Sequence, residues 1–435
     1  MNSSEYKTYH ESFMRNNHGT TAFHTFFCIF FTVQCTLVCS LQKRKSNCLQ
    51  YGVDYLVIVV PLILAHTLLS QYIYLLNIVA FTIVMFNIHS NSLYFKKINL
   101  PKNCDNLKLE SISSMRGLTY LITGLCILAV DFEHFPRNLA KTERFGYSLM
   151  DTGVGLFVVM SGLVHKNLEK YNFKNVLRSN IKFISILFIL GLGRYVSVKQ
   201  LDYHEHVTEY GVHWNFFFTL AVCKLLSTVL LLLSNKVLFL SLVMLLLHEL
   251  LLHHSWQDWV FSEIPRSNLV DANREGISSN LGYVSMYLFS VHLKRIINDK
   301  NRNLVLFKLT TLSASIIIMS YFINLIKPTS RTLANAGYCL FILSILLIIL
   351  TVFYSIEICL CDKENILIYK TPLVLSAINN NGLIYFLICN LSTGFINIVF
   401  QTMLISPMTT IVILNIYMLF TITITVYLNQ IGCKL

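Results

Sequence analysis

Charge is scarce in this chain: Asp, Glu, Lys and Arg make up 13% of its 435 residues, against 54% that are hydrophobic. A water-soluble fold needs far more polar surface, and a mean hydropathy of +0.59 excludes that class. Proline is scarce too, with seven residues, and there is no long polar insert and no low-complexity tract. That leaves no room for a separate soluble domain, so residues 1–435 read as a single one. No self-similarity between the halves is visible, and self-similarity is the usual sign of an inverted-repeat transporter. The twelve cysteines are scattered, several inside apolar runs (Cys28, Cys35, Cys126, Cys223). They lack the paired spacing of a zinc site or a disulfide framework, so no metal is expected.

What is present is a succession of apolar runs, each long enough to cross a bilayer at roughly 20 residues and about 1.5 Å of rise per residue. They fall near 20–41, 51–70, 71–88, 116–132, 147–165, 180–197, 212–233, 237–254, 279–293, 306–326, 332–354, 379–400 and 407–430. The chain is therefore expected to be an all-α, polytopic bundle of about thirteen spans. The run from Thr20 to Leu41 is longer than the apolar core of a signal peptide and is followed by Lys43-Arg44-Lys45, which reads as a retained first span.

Basic residues alternate with the spans. Lys43 to Lys45, Lys96 to Lys108, Lys166 to Arg178 and Lys294 to Arg302 fall on one side, which the positive-inside rule makes cytosolic. The N-terminus is then lumenal and the C-terminus cytosolic. The formal net charge of +12 is read as this topology signal, and no nucleic-acid partner is expected. The loops richest in His, Asp and Glu, at 133–146, 198–211 and 255–278, all fall on the lumenal side.

The sharpest segment is Leu128-Ala-Val-Asp131-Phe-Glu-His-Phe-Pro136-Arg137-Asn-Leu-Ala-Lys141-Thr-Glu. Asp131 ends one apolar run and Lys141 precedes the next, while Pro136 cannot continue a helix interior, so the chain must turn between them. An ionisable group at the membrane boundary is costly unless paired or solvated, which makes these two functional candidates. Alternatively they mark the interface and pair with each other. Acyl transfer to an alcohol needs a base for the hydroxyl proton and a donor for the developing oxyanion, roles that a carboxylate and an ammonium can fill. The ordinary pKa of an aspartate, about 4, makes it a weak base; a nearby lysine lowers it further, whereas burial raises it. Arg137 and Asp151, the latter one turn into the following helix, are read as lying with the reaction site.

Three further clusters carry polar groups. Asp202-Tyr-His-Glu-His206-Val-Thr-Glu209-Tyr-Gly-Val-His213-Trp-Asn lacks the i, i+4 spacing of a helical metal site. It reads as a polar wall for a sugar or inositol head group, or as an interfacial anchor through Tyr210 and Trp214. Asn273-Arg274-Glu-Gly-Ile-Ser-Ser offers a helix cap in Ser278 or Ser279 and, in Arg274, either a bidentate phosphate ligand or a surface partner of Glu275. Asn390-Leu-Ser-Thr-Gly-Phe-Ile-Asn397 puts amides and small residues inside a span, which helix packing explains. Lys224, inside a span, must face a cavity or a partner.

Taken in order from about residue 112 to 400, Ile127 to Glu143, Ser148 to Gly155, Glu205 to Phe218, Asn273 to Gly276 and Asn390 to Gly394 together resemble the glycosylphosphatidylinositol (GPI) inositol acyltransferase family. The resemblance implies a multi-pass enzyme of the endoplasmic reticulum with thirteen spans. Its reaction would move a fatty acyl group, usually palmitoyl, from acyl-CoA as co-substrate to the inositol of glucosaminyl-phosphatidylinositol, at the 2-hydroxyl by analogy. It makes Asp131 and Lys141 the catalytic pair, with Arg137, Asp151, His206, Glu209, His213, Asn273, Arg274 and Asn390 around the substrate. No resident cofactor and no obligatory protein partner are implied. Glu133 and His134 are more polar than the family pattern at their positions. Two rival readings are a glycolipid flippase and a noncatalytic assembly subunit; paired Gly or Pro breaks in matching halves would favour the flippase, and the sequence has none.

Overall fold

The computed structural model describes residues 15–42, 46–94, 109–165, 173–201, 207–359 and 369–432, with residues 5, 6, 9, 12 and 13 before them. The described residues are predominantly helical, and each expected apolar run has a helical counterpart. In order these are α1 (Ala22–Ser40), α2 (Asn47–Ala65), α3 (Ile73–Tyr94), α4 (Glu110–Ala129), α5 (Leu149–Leu163), α6 (Phe173–Leu201) and α7 (Phe216–Leu233). They continue with α8 (Val237–Val260), α9 (Arg274–Ile297), α10 (Arg302–Ile326), α11 (Ala336–Cys359), α12 (Gly382–Val399) and α13 (Pro407–Gln430). Eleven helices among the described residues are long and apolar enough to cross a membrane, so the protein is a multi-pass membrane protein. The two that fall outside this set are α5, which is short, and α9, which is polar.

Those two helices are central rather than peripheral. α9 carries Asn, Ser, Gly and Tyr along its length, and most of its side chains are buried. It packs against α5, α7 and α8. A helix this polar is stable in a bilayer only where protein covers it. Small residues allow close approach: a Cβ on Gly162 of α5 would lie 2.5 Å from the Tyr287 carbonyl oxygen of α9, and one on Gly282 of α9 would lie 2.2 Å from the Ala334 oxygen. The apolar outer surface is carried by other helices, among them α3, α8, α10 and α12, which expose Phe86, Leu246, Ile326 and Phe395.

Successive helices run in opposite directions. The C-terminal end of α4, the start of α5 and the segment before α1 meet where Asn17 Nδ2 donates to the Ala140 and Lys141 carbonyls, at 2.8 and 3.0 Å. The end of α8 meets the start of α11, where the Ala336 amide donates to Glu249 Oε1 at 2.5 Å. The end of α6 meets the start of α7, where Asn215 Nδ2 donates to the Gly191 carbonyl at 2.9 Å. At the opposite end of the bundle, Glu357 near the end of α11 accepts the amides of Glu110 and Ser111 at the start of α4, at 3.1 and 3.0 Å. Lys294, near the end of α9, donates to the carbonyl of His165 just beyond α5.

Element boundaries depart from expectation where capping decides them. Asp131 lies two residues beyond α4 rather than inside a span, and α7 starts at Phe216 because Asn215 Oδ1 accepts from the amides of Phe217 and Phe218, at 3.0 and 3.3 Å. Residues 332–335, expected at the start of a span, form part of a buried nonhelical segment, and the helix begins at Ala336. The run expected at 379–400 is two pieces, Leu373–Asn380 and α12, broken at Asn381. Within α2, residues Tyr55–Val59 form a π turn just before Pro61, whose missing N–H cannot serve an unbroken helix. Lys43, Arg44, Lys45, Lys96, Lys97, Lys102, Lys108, Lys166 and Lys170 lie outside the described residues.

Candidate active site

The loop that carries Lys141 is held from two sides. Residues 16–20, ahead of α1, run beside it: the Glu143 amide donates to the Asn17 carbonyl at 3.1 Å and the Thr20 amide to that of Tyr147 at 2.6 Å. From the other side, Ser330 Oγ donates to the Arg144 carbonyl at 2.5 Å and the Gly146 amide to the Thr329 carbonyl at 2.9 Å. Glycine is required where these strips touch. Gly146 has φ +130° and a Cβ there would sit 2.1 Å from the His18 oxygen; Gly19 has φ +72° and would meet the Tyr147 oxygen at 2.2 Å.

Lys141 emerges from this clamp and forms its ion pair with Glu209, Nζ to Oε2 at 2.5 Å, both side chains partly exposed. A direct pair between Lys141 and Asp131, one of the alternatives in the sequence, is thus not what forms. Asp131, buried at the end of α4, accepts a hydrogen bond from Asn397 Nδ2 of α12 at 2.7 Å. The same turn is tied to the stretch beyond α12, with His134 Nε2 3.1 Å from the Ile405 carbonyl oxygen. Gly124 lets α12 lie this close, since a Cβ there would fall 2.5 Å from the Tyr385 hydroxyl.

Beside Lys141, Thr142 links the loop to a buried charge pair. Its amide and hydroxyl donate to Asp151 Oδ2, at 3.2 and 2.7 Å. Asp151 Oδ1 lies 2.9 Å from Arg331 Nε, with both side chains almost fully buried. The two atoms are not aligned as a hydrogen bond, so the contact is chiefly coulombic. The guanidinium also faces the Tyr210 ring at 5.7 Å, one residue from Glu209. Burial pulls the Arg331 pKa down, but the Asp151 carboxylate outweighs it and holds the group above the ordinary arginine value. Arg331 was not singled out in the sequence. Its signal was a charged residue within the polar run Thr329-Ser-Arg-Thr-Leu-Ala-Asn335, directly ahead of the very apolar α11.

The remaining candidates divide. Asn273, just ahead of α9, accepts the amides of His213 and Trp214 on its Oδ1, at 2.8 and 2.9 Å, and so fixes the segment that follows Glu209. Gly211 permits this, with φ +113° and no space for a Cβ against Asn273. Arg274 is buried and committed: Nη1 donates to Ser262 Oγ at 3.1 Å and to the Ile264 carbonyl at 3.2 Å, and Nη2 donates to the Ser262 carbonyl at 2.5 Å. It is therefore a loop fastener, and its contact with Glu275, Nε to Oε1 at 3.9 Å, is buried rather than on the surface, with Arg266 holding the same oxygen at 2.5 Å. Ser278 and Ser279 do not cap α9, which begins upstream at Arg274; their hydroxyls bond back to the Glu275 and Gly276 carbonyls.

Asn390 donates to the Phe386 carbonyl of its own helix at 2.7 Å, away from Asp131's contact, in keeping with the packing reading. Lys224 lies 4.9 Å from the Phe183 ring centre, against α6. His206 lies outside the described residues. Arg137, on the short turn Arg137–Leu139, keeps Nε and Nη2 buried without a hydrogen-bond acceptor. Burial pulls its pKa below the ordinary arginine value, with Glu143 opposing.

The GWT1 family model matches residues 6–428 of the chain. Among similar curated proteins, mouse glucosaminyl-phosphatidylinositol-acyltransferase PIGW is 29% identical, with 98% of this chain and 98% of that protein covered. GPI-anchored wall transfer protein 1 of Kluyveromyces lactis is 36% identical over 71% of each chain, and that of Saccharomyces cerevisiae 33% identical over 90% of each.

Proposed function

The chain belongs to the GWT1 family, and from that premise we propose that it is an O-acyltransferase that moves a fatty acyl group from acyl-CoA to the inositol of glucosaminyl-phosphatidylinositol in GPI-anchor biosynthesis. The observation that carries the reading is that a carboxylate and an ammonium lie at the same end of the bundle, each held by its own partner. A buried carboxylate, Asp131, is fixed by Asn397, and an ammonium, Lys141, is fixed by Glu209 on a loop clamped from both sides. Asp131 accepts the proton of the inositol hydroxyl as its oxygen attacks the thioester carbonyl. Lys141 stabilises the oxyanion, and the C–S bond then breaks with the proton passing to the departing thiolate. Arg137, with two buried N–H groups in need of an acceptor, is assigned to the phosphodiester of the lipid.

The same reading places the protein in the endoplasmic reticulum membrane as one domain of thirteen spans, with palmitoyl as the group transferred. It supposes no resident cofactor and no obligatory protein partner. The alternation of helix direction from α1 to α13 supports the span count. It puts the Asp131 end on the side of the N-terminus, here taken as lumenal. A hydrophobic cluster that runs from Cys28 to Val426 supports the single domain.

Purified protein given acyl-CoA and a glucosaminyl-phosphatidylinositol analogue, with no other polypeptide, is expected to yield the inositol-acylated lipid by mass spectrometry. Lipid translocation across vesicles without acylation, or acylation only after a second protein is added, would sink the assignment in favour of a flippase or an assembly subunit.

A further inference from the structure

α12 holds two asparagines seven residues apart, and they behave differently. Asn390 satisfies its amide on its own helix, at the Phe386 carbonyl. Asn397, in the last turn, sends Nδ2 across to Asp131 Oδ2 on α4 at 2.7 Å. Its neighbours Phe395 and Ile398 are exposed on the apolar surface of the bundle, where an amide is costly unless it has a partner. Packing alone therefore accounts for Asn390 but not for Asn397. The turn that follows Asp131 is tied a second time to the same region through His134 and the Ile405 carbonyl. The Asp131 carboxylate is thus held by a donor from a span far away in sequence.

We infer that Asn397 is a positioning residue for the reaction: its amide fixes the plane of the Asp131 carboxylate, so that the carboxylate is aimed to take the hydroxyl proton. This rests on the reading of Asp131 as the base. A hydrogen bond from an uncharged amide to one carboxylate oxygen fixes the orientation of the group and does not itself engage the other oxygen. Asn397 makes no covalent bond and gives up no proton; it acts through Asp131.

The test compares steady-state kinetics of Asn397→Leu, Asn397→Asp and Asn397→Gln with the unaltered enzyme, in detergent, on acyl-CoA and a glucosaminyl-phosphatidylinositol analogue. Loss of the donor in Asn397→Leu is expected to lower kcat by on the order of 10- to 100-fold, the worth of one hydrogen bond to a charged group. KM for the lipid should change by less than about threefold, because the residue acts on the orientation of the base and not on lipid binding. Asn397→Asp keeps the shape but sets a second carboxylate against Asp131 and should lose more kcat than Asn397→Leu. Asn397→Gln keeps an amide and should recover part of the activity.

Unchanged kcat in Asn397→Leu, or a rise in KM with kcat intact, would overturn the inference. Should Asn397→Leu not fold, Asn397→Asp decides it: kcat at the unaltered level refutes the positioning role. Asp131→Asn in the same assay separates the two layers. An active Asp131→Asn refutes the base itself, while an inactive Asp131→Asn beside an active Asn397→Leu refutes only the part assigned to Asn397.

Discussion

Arg331 and Asp151 are almost completely buried, at 2% and 4% side-chain exposure, and lie 2.9 Å apart. Neither can be neutralised alone without leaving its partner as an uncompensated charge, which costs about 3–5 kcal/mol. Arg331→Met is therefore expected to lower the thermal unfolding midpoint of the purified protein markedly. Arg331→Met combined with Asp151→Asn should recover a large part of that loss, because the pair is removed together. Fluorescence-monitored melting reads this directly; equal midpoints for the single and double variants would show that the two charges are not coupled. The consequence reaches the site through Thr142, which donates to Asp151 and is the residue next to Lys141. Lys141 is thus positioned by its own partner Glu209 and by a buried charge pair one residue along the chain.

At the scale of helices, the Asp131 end gathers the end of α4, the starts of α5, α7, α9 and α11, and the end of α12. Connections between these elements must share one side of the membrane if every helix crosses it. With exposed Cys48 and Cys359, and also Cys104, Cys361 and Cys433, first replaced by serine, Asn298→Cys between α9 and α10 should react with a membrane-impermeant maleimide in sealed microsomes. Asn268→Cys before α9 should react only after permeabilisation. Labelling of both before permeabilisation would contradict the alternation. Much of this level was legible from composition, because a run of about 20 apolar residues has one stable arrangement in lipid. The elements that composition placed least well were those that other forces decide. Asn215 set the start of α7 by capping, and residues 329–335 stayed nonhelical because Asn335 and Ser330 spend their hydrogen bonds on the loop itself.

For the molecule as a whole, Asp131 and Lys141 could be read from the sequence because ionisable groups between apolar runs stand out locally. The way they are held could not, although Glu209 already stood among the candidate residues. Asn397, Glu209, Asn17 and Arg331 reach their partners from remote parts of the chain, and no period or short motif reports such a pairing. The arrangement they build is a rigid corner of a bilayer-embedded bundle in which a carboxylate and an ammonium are each held by a different partner. The most direct test of that claim is the transfer rate of Asp131→Asn in purified, monodisperse form with an unfolding midpoint matching that of the unaltered protein. The account predicts a fall in kcat of about 10²- to 10⁴-fold, the usual worth of a positioned base; a rate within threefold of the unaltered enzyme would contradict it.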